Sequence, residues 1–364
     1  MNLPMTTATN RQSGRNDAPV TWESKVRGLM LGLALGDAIG SRRSDVPEAG
    51  TLTAGAATQL AAWTAEGLLR TATRYGGYVV GNPLDVVRHA YQRWLLTRGG
   101  VGRGDHWNPV IELDGTATRG WLLDVPAMAA PRGSSPATEK ALTSGRPTRS
   151  AGCQALLRSL PIAAFVRQGT PAGIDEFAAS AASLTHDDGA RNAPTGFAVR
   201  LAAACLEADG FGRAFDSTLA AGVPETIHGH VDRLVGDGMS QPCVPQLLER
   251  IAPDKTAASA LAGGVYVALS FPDVDTLEEA LEFAGWAPDG DSVAAVAGAL
   301  LGAIHGVEAL PPALRARLEL GWVMDTLARD LVVQTTRNQA GDGWKGDGFE
   351  HPVDPWWDTK YPGV

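Results

Sequence analysis

A chain of 364 residues with a formal net charge of −9, 44% hydrophobic and only 6% aromatic residues can build one large core. It does not carry the clustered Lys and Arg that a nucleic-acid backbone or an anionic membrane surface would require. Abundant Ala and Gly with few aromatics favour closely packed helices over a strand-rich fold. The three cysteines, Cys153, Cys205 and Cys243, form no CxxC or paired framework, so a reduced, cytoplasmic compartment is expected, with each thiol a small buried side chain.

Residues 1–20 are polar, lack the apolar core of a secretory signal, and are expected to form a disordered tail. No window of about twenty apolar residues is free of charges and helix breakers, so no membrane span is expected. A single domain is expected over residues 21–334. It begins near Trp22, where Val26, Leu29, Met30, Leu33 and Ile39 recur at helical spacing. Gly28, Gly32 and Gly36 fall four apart along that helix. Each costs roughly 1 kcal/mol of helix propensity relative to Ala, a cost explained by backbones packed in close contact. Asp37 follows at the helix end.

Further helices are expected over 58–72, 85–96, 154–166, 174–183, 195–208, 257–270, 276–283, 293–305 and 312–331, with strand signals almost absent. Residues 99–108 read as a turn-rich loop. Residues 131–149 and 335–354, rich in Gly, Pro, Ser, Thr and charge, read as mobile surface segments of the kind that border ligand clefts. Residues 335–364 are expected to form an irregular tail that packs on the domain, its terminal Trp and Tyr residues covering apolar surface or meeting a partner.

The most informative stretch is Asp289-Gly290-Asp291-Ser292, directly ahead of a small-residue helix. Two carboxylates and a hydroxyl on one turn can aim three hard oxygens at a cation, and the same residues can cap the helix. His228, His230 and Asp232 are read as a surface loop, since no Cys or second His pair completes a metal set.

Five local patterns occurring in one order resemble those of the ADP-ribosylglycohydrolase (DraG/ARH-like) family. The likeness spans nearly all of residues 22–306. The patterns are the helix Val26 to Gly40; Gly55-Ala56-Ala57-Thr58, where the family usually has Thr-Asp-Asp-Thr; Gly152-Cys153-Gln154 leading to Arg158 and Pro161; Thr185-His186-Asp187-Asp188; and Asp289-Gly290-Asp291-Ser292, similar to the family's Gly-Gly-Asp-x-Asp-Thr. The resemblance implies an all-α, orthogonally packed helical domain with a central cleft. It further implies Mg²⁺ held between the early and late turns, and ADP-ribose or an ADP-ribosylated molecule as partner. Carried over by position, Asp289 and Asp291 would be catalytic, Asp289, Asp291 and Ser292 residual metal ligands, and Asp37, Cys153, His186 and Asp187 ligand-binding.

The departures from the pattern fall on the metal positions. Gly55, Ala56 and Ala57 replace a hydroxyl and two carboxylates, Ser44 stands where the family often carries Glu, and Ala287-Pro288 replaces a pair of glycines. Losing a positioned metal and its activated water removes several kcal/mol of transition-state stabilisation, roughly a thousandfold in rate. The expected function is therefore a degenerate family member, a pseudoenzyme that binds ADP-ribose-like ligands or partners with little or no hydrolysis. The alternatives are an active hydrolase with a residual metal site and a purely structural protein on the same scaffold. Bland readings compete at each position: capping for Asp289, Asp291, Ser292, Asp114 and Arg119, an ordinary polar histidine beside Asp187 and Asp188 for His186, a helix end for Asp37, and structural pairing for Arg158.

Overall fold

The computed structural model describes residues 19–40, 47–75, 82–100, 120–167, 169–187, 189–339, 344–345, 348–349 and 355–362. The expectations for residues 1–18, Ser44, residues 101–108, Asp114, Arg119, Asp188 and most of 340–354 lie outside them. The fold is all-α. In chain order the principal helices are α1 (Trp22–Ile39), α2 (Ala56–Tyr75), α3 (Pro83–Thr97), α4 (Pro136–Ser144), α5 (Gln154–Ser159), α6 (Pro171–Ser183) and α7 (Gly189–Glu207). There follow α8 (Phe211–Ala220), α9 (Pro245–Ile251), α10 (Ala257–Ser270), α11 (Leu277–Ala284), α12 (Gly290–His305), α13 (Gly321–Arg337) and α14 (Pro355–Lys360). Among the described residues the only strand pairing beyond isolated bridges joins Trp344–Lys345 to Gly348–Phe349.

Helix α1 begins at an extended Thr21 whose hydroxyl accepts from Ser24 N–H, and nearly all of its length is buried. It lies antiparallel against α12. The glycines explain how: Gly28 faces Gly302, Gly32 faces Gly298, Gly36 faces Ala294 and Gly40 faces Gly290, and at each a Cβ would come within 3.0 Å of the opposing backbone. Side chains therefore cannot separate the two axes. Around this pair, Val26, Leu29, Leu33, Val296, Leu300 and Ile304 join one continuous core with Leu60, Trp63 and Tyr91 from α2 and α3.

The helices differ from the sequence expectations where backbone partners compete. Residues 312–331 do not form one helix. Leu52 N–H donates to Arg317 C=O at 2.9 Å and Glu319 N–H to Leu52 C=O at 2.9 Å, which draws the chain out of helical geometry between Pro312–Arg317 and α13. The 154–166 helix breaks at Pro161 into α5 and a short turn. Residues 131–149, expected as a mobile segment, contain the ordered α4 with Thr138, Ala141 and Leu142 buried, because Thr138 accepts a hydrogen bond from the buried Arg158. Cys243, expected to be buried, is exposed at a positive φ of 58°. His228 to Asp232 lie on a short helix rather than a loop.

The core holds charge as well as hydrocarbon. Glu66 of α2 pairs with Arg70 and with Arg93 at 2.7 Å, and all three are buried. Arg93 also lies 5.6 Å from the Trp63 ring centroid. The chain returns to this cluster near its C-terminus: Arg70 donates to Pro362 C=O at 3.4 Å, Tyr361 is fully buried with its hydroxyl on Asp330, and Lys360 pairs with Asp330 at 2.5 Å.

Gly32→Ala should therefore lower stability by about 1–3 kcal/mol or more, the cost of overpacking against backbone that cannot yield. Gly212→Ala on α8, where a Cβ meets nothing within 4 Å, should be neutral or stabilising by up to about 1 kcal/mol. Urea denaturation of the two variants beside the parent chain measures both. Equal effects would show that close backbone contact is not what the α1 glycines are for.

Candidate functional site

The antiparallel α1/α12 contact carries the C-terminal turn of α1, with Asp37, to the N-terminus of α12, with Asp289, Asp291 and Ser292. Asp37 is committed to a second helix. Its Oδ2 accepts from Gly55 N–H at 2.8 Å, Thr58 N–H at 3.1 Å and the Thr58 hydroxyl at 2.5 Å, so one carboxylate caps the N-terminus of α2. Helix N-termini present unpaired N–H groups and a positive dipole end, which is where a carboxylate gains most. Burial nevertheless pushes the Asp37 carboxyl above its usual range against those hydrogen bonds, and the charge of Asp291 adds to the rise.

The late turn is built differently from the cap that its sequence suggests. Asp289 occupies the N-cap position of α12 but makes no side-chain capping bond. Its carboxylate turns sideways: Cys153 Sγ donates to Oδ2 at 3.5 Å, and Lys255 Nζ lies 3.9 Å from Oδ1. The Cys153 thiol also shares a hydrogen bond with Ser292 Oγ at 3.1 Å. Asp291 Oδ1 accepts from Ser292 N–H at 3.0 Å. Burial and the neighbouring Asp289 push the Asp291 carboxyl up, while burial and the same carboxylate push the Cys153 thiol up to about 12. A thiol this reluctant to ionise is a hydrogen-bond donor rather than a nucleophile.

Cys153 and Lys255 reach Asp289 because their loops are paired. Gly152 bridges Thr256, Cys153 N–H donates to Lys255 C=O at 3.3 Å, and Ala257 N–H donates to Ala151 C=O at 2.8 Å. The Thr256 hydroxyl caps α10 by accepting from Ser259 N–H, and Asp254 accepts from both Thr256 and Ser259 side chains. Lys255 was not legible as a site residue. The Asp254-x-Thr256 cap marks only a helix start, and nothing in it pairs this lysine with a turn more than thirty positions away.

His186 stands apart from the carboxylates. It is 2% exposed, its segment pairs with Thr148, and the stretch Thr148 to Gly152 runs from that pairing to the Gly152–Thr256 bridge. Asp187 is exposed, with its N–H donating to Thr148 C=O at 2.7 Å. The structure thus brings Asp37, Cys153, Asp289, Asp291 and Ser292 toward one point and sets His186 and Asp187 at the far end of a five-residue segment.

The donor set can be tested directly against Mg²⁺. Magnesium takes hard oxygens in near-octahedral geometry and keeps several waters. Here the side chains of Ala56 and Ala57 are buried methyl groups, 3% and 1% exposed, Asp37 is tied to the α2 N-terminus, and Asp289 faces a thiol and an ammonium. Among the described residues no group of three or more His, Cys, Asp and Glu side chains is placed to hold a metal ion. The residues do not fit a dinuclear magnesium centre. His228, His230 and Asp232 form no such group either.

The sequence model of the ADP-ribosylglycohydrolase family matches residues 18–341. The chain belongs to the ADP-ribosylglycohydrolase family. A solved chain described as an ADP-ribosylglycohydrolase-related protein complex has the same fold, with a TM-score of 0.57 at 21% identity over 85% of this chain and 97% of that one. No curated protein sequence matches the chain. The family is metal-dependent in general, which makes the donor set of this member the point of departure. No helix among the described residues is long and apolar enough to cross a membrane.

Burial, with the nearby Arg158 charge, lowers the His186 pKa to about 3, against about 6.5 in an unfolded chain. Between those values the unfolded chain binds a proton that the folded chain refuses, so stability falls as pH drops from 6.5 toward 3. Asp37 and Asp291, with raised values, act in the opposite sense. His186→Gln should flatten the acid side of the stability profile relative to the parent chain in urea titrations at pH 7, 6, 5 and 4. A profile unchanged by the substitution would contradict a neutral buried imidazole.

Proposed function

We propose that this ADP-ribosylglycohydrolase-family member is a metal-independent binding protein for ADP-ribose or an ADP-ribosylated molecule, with little or no hydrolysis. The observation that carries this reading is the replacement of the early metal-binding turn by Gly55, Ala56 and Ala57, at a helix N-terminus that Asp37 already satisfies. The carboxylates keep acceptor capacity. The hydrogen bonds reach Asp37 through Oδ2 and Asp291 through Oδ1, each carboxylate has further lone pairs, and a ribose diol supplies two hydroxyl donors to such oxygens. Lys255, exposed and beside Asp289, supplies a mobile cation for a diphosphate. Hydrolysis would need an activated water, and with Asp289 paired to Lys255 and Cys153, no metal-binding group orients one.

The charge pattern favours this reading over a residual one-metal hydrolase. A dication on Asp289 and Asp291 would have to displace Lys255 and the Cys153 hydrogen bond while finding its remaining ligands in water. Magnesium binds such sparse sites poorly.

Titration calorimetry with ADP-ribose in EDTA should show saturable binding that Mg²⁺ does not strengthen, and Asp291→Ala should weaken it at least tenfold without loss of fold. Release of ADP-ribose from modified protein, stimulated by millimolar Mg²⁺ above the uncatalysed background, would restore the hydrolase reading. Absence of any binding would leave the structural role. In a complementary experiment, Ala56→Asp with Ala57→Asp should depress the melting temperature in EDTA, because two more buried carboxylates join Asp37 and Asp291. Mg²⁺ should recover the loss. Full stability of that double variant in EDTA would mean that the alanines relieve no repulsion.

A further inference from the structure

Beneath His186 lies a chain of buried polar groups that the binding reading does not use. Arg158 of α5 is fully buried, and no carboxylate among the described residues pairs with it. Its guanidinium lies 4.3 Å from the Tyr91 ring centroid. Nη1 donates to Thr138 Oγ1 at 3.1 Å, and Nη2 to Thr185 Oγ1 at 2.6 Å and Ala181 C=O at 3.4 Å. The Tyr91 hydroxyl is itself fixed by Thr64 Oγ1 at 2.8 Å. A buried cation held only by neutral oxygens and an aromatic face is costly to place, and it constrains the groups that receive its hydrogens.

A guanidinium has donors and no acceptor, so Thr185 Oγ1 accepts from Arg158 and must point its own hydrogen elsewhere. Among the described residues one acceptor is within reach, Nδ1 of His186 at 2.8 Å. Nδ1 is therefore the unprotonated nitrogen, and the neutral ring carries its hydrogen on Nε2. The backbone of His186 is fixed as well: Asn192 Nδ2 donates to its C=O at 2.8 Å and to Ser183 Oγ at 2.9 Å. The residue is thus held through its ring by Thr185 and through its backbone by Asn192.

We infer that Arg158 and Thr185 are positioning residues that lock His186 in the Nε2–H tautomer, giving the binding site a fixed hydrogen-bond donor. The inference deepens the binding reading and rests on it. The five residues from Thr148 to Gly152, at most about 17 Å of chain, connect the backbone paired with His186 to the bridge beside Cys153 and Lys255. A fixed neutral donor recognises an acceptor oxygen of a ligand without acting as an acid or a base. This matches binding without turnover.

The test is long-range ¹H–¹⁵N NMR of the ligand-free protein labelled with ¹⁵N-histidine, with the His186 signals assigned by their loss in His186→Gln. The expected pattern at pH 7 is a protonated Nε2 and an unprotonated Nδ1, unchanged at pH 5. Thr185→Ser, which keeps the hydroxyl, should preserve it. Thr185→Val should release the ring to a mixture of tautomers. An Nδ1–H ring or an averaged imidazolium in the parent chain overturns the inference, as does a Thr185→Val spectrum identical to the parent. If Thr185→Val does not fold, the parent and Thr185→Ser spectra decide the matter alone. No ligand is present in these samples, so a failure of ADP-ribose to bind in calorimetry would remove the binding reading and leave the tautomer result standing.

Discussion

The structure depends on one contact, the backbone-to-backbone packing of α1 against α12. Glycines at 28, 32, 36 and 40 oppose Gly302, Gly298, Ala294 and Gly290 at distances that exclude a Cβ. Such glycines are poor helix formers, and their placement makes sense only if the energy lost in propensity is returned by dispersion between close-packed helices and by the core that closes around them. The contact also fixes direction. Antiparallel packing with this register puts the end of α1 beside the start of α12, so Asp37 and the Asp289–Ser292 turn meet because the glycines align.

That geometry concentrates acidic groups where two helices begin. Asp37 serves the N-terminus of α2, and Asp291 sits in the first turn of α12. Each helix end stabilises the carboxylate nearest to it, yet burial and mutual repulsion still raise the carboxyls of Asp37 and Asp291. Two helix ends therefore do not neutralise the cluster. Lys255 and the Cys153 thiol offset the remainder at Asp289, by charge and by hydrogen bonding respectively. The family is metal-dependent in general, and among the described residues of this member an ammonium and a thiol stand beside Asp289.

Much of this was legible in the sequence, for specific reasons. The glycine stripe in α1 announced close packing because no other role explains four-residue spacing in a helix. The Asp289-Gly290-Asp291-Ser292 turn and the all-α class followed from short-range pattern. What was not legible was partnership over distance. Asp289 stood in a capping position, and its side chain instead took partners from loops near residues 153 and 255. Thr138 lay in a stretch rich in Gly, Pro, Ser and Thr that read as mobile, and a buried arginine some twenty residues later holds it in place. The break before α13 came from Leu52, more than 260 residues away, pairing with Arg317 and Glu319. Local pattern encodes faces and caps, whereas these contacts are set by the tertiary arrangement.

Ala56 and Ala57 make physical sense inside this arrangement. Both positions are buried at the start of α2, between the Gly55 and Thr58 N–H groups that bind Asp37 to that helix end. An added carboxylate there would gain from the helix dipole, a fraction of a kcal/mol to about 2 kcal/mol at best. It would lose more through desolvation and through repulsion from Asp37 and Asp291, since burying an unpaired charge costs several kcal/mol. Only a bound cation reverses that balance. Methyl groups are thus the stable solution for a site that works without a metal, and carboxylates the stable solution for one that works with it. The two alternatives are mutually exclusive at these positions, which is why the identity of residues 56 and 57 says more about the chemistry of this chain than does the acidic turn they face.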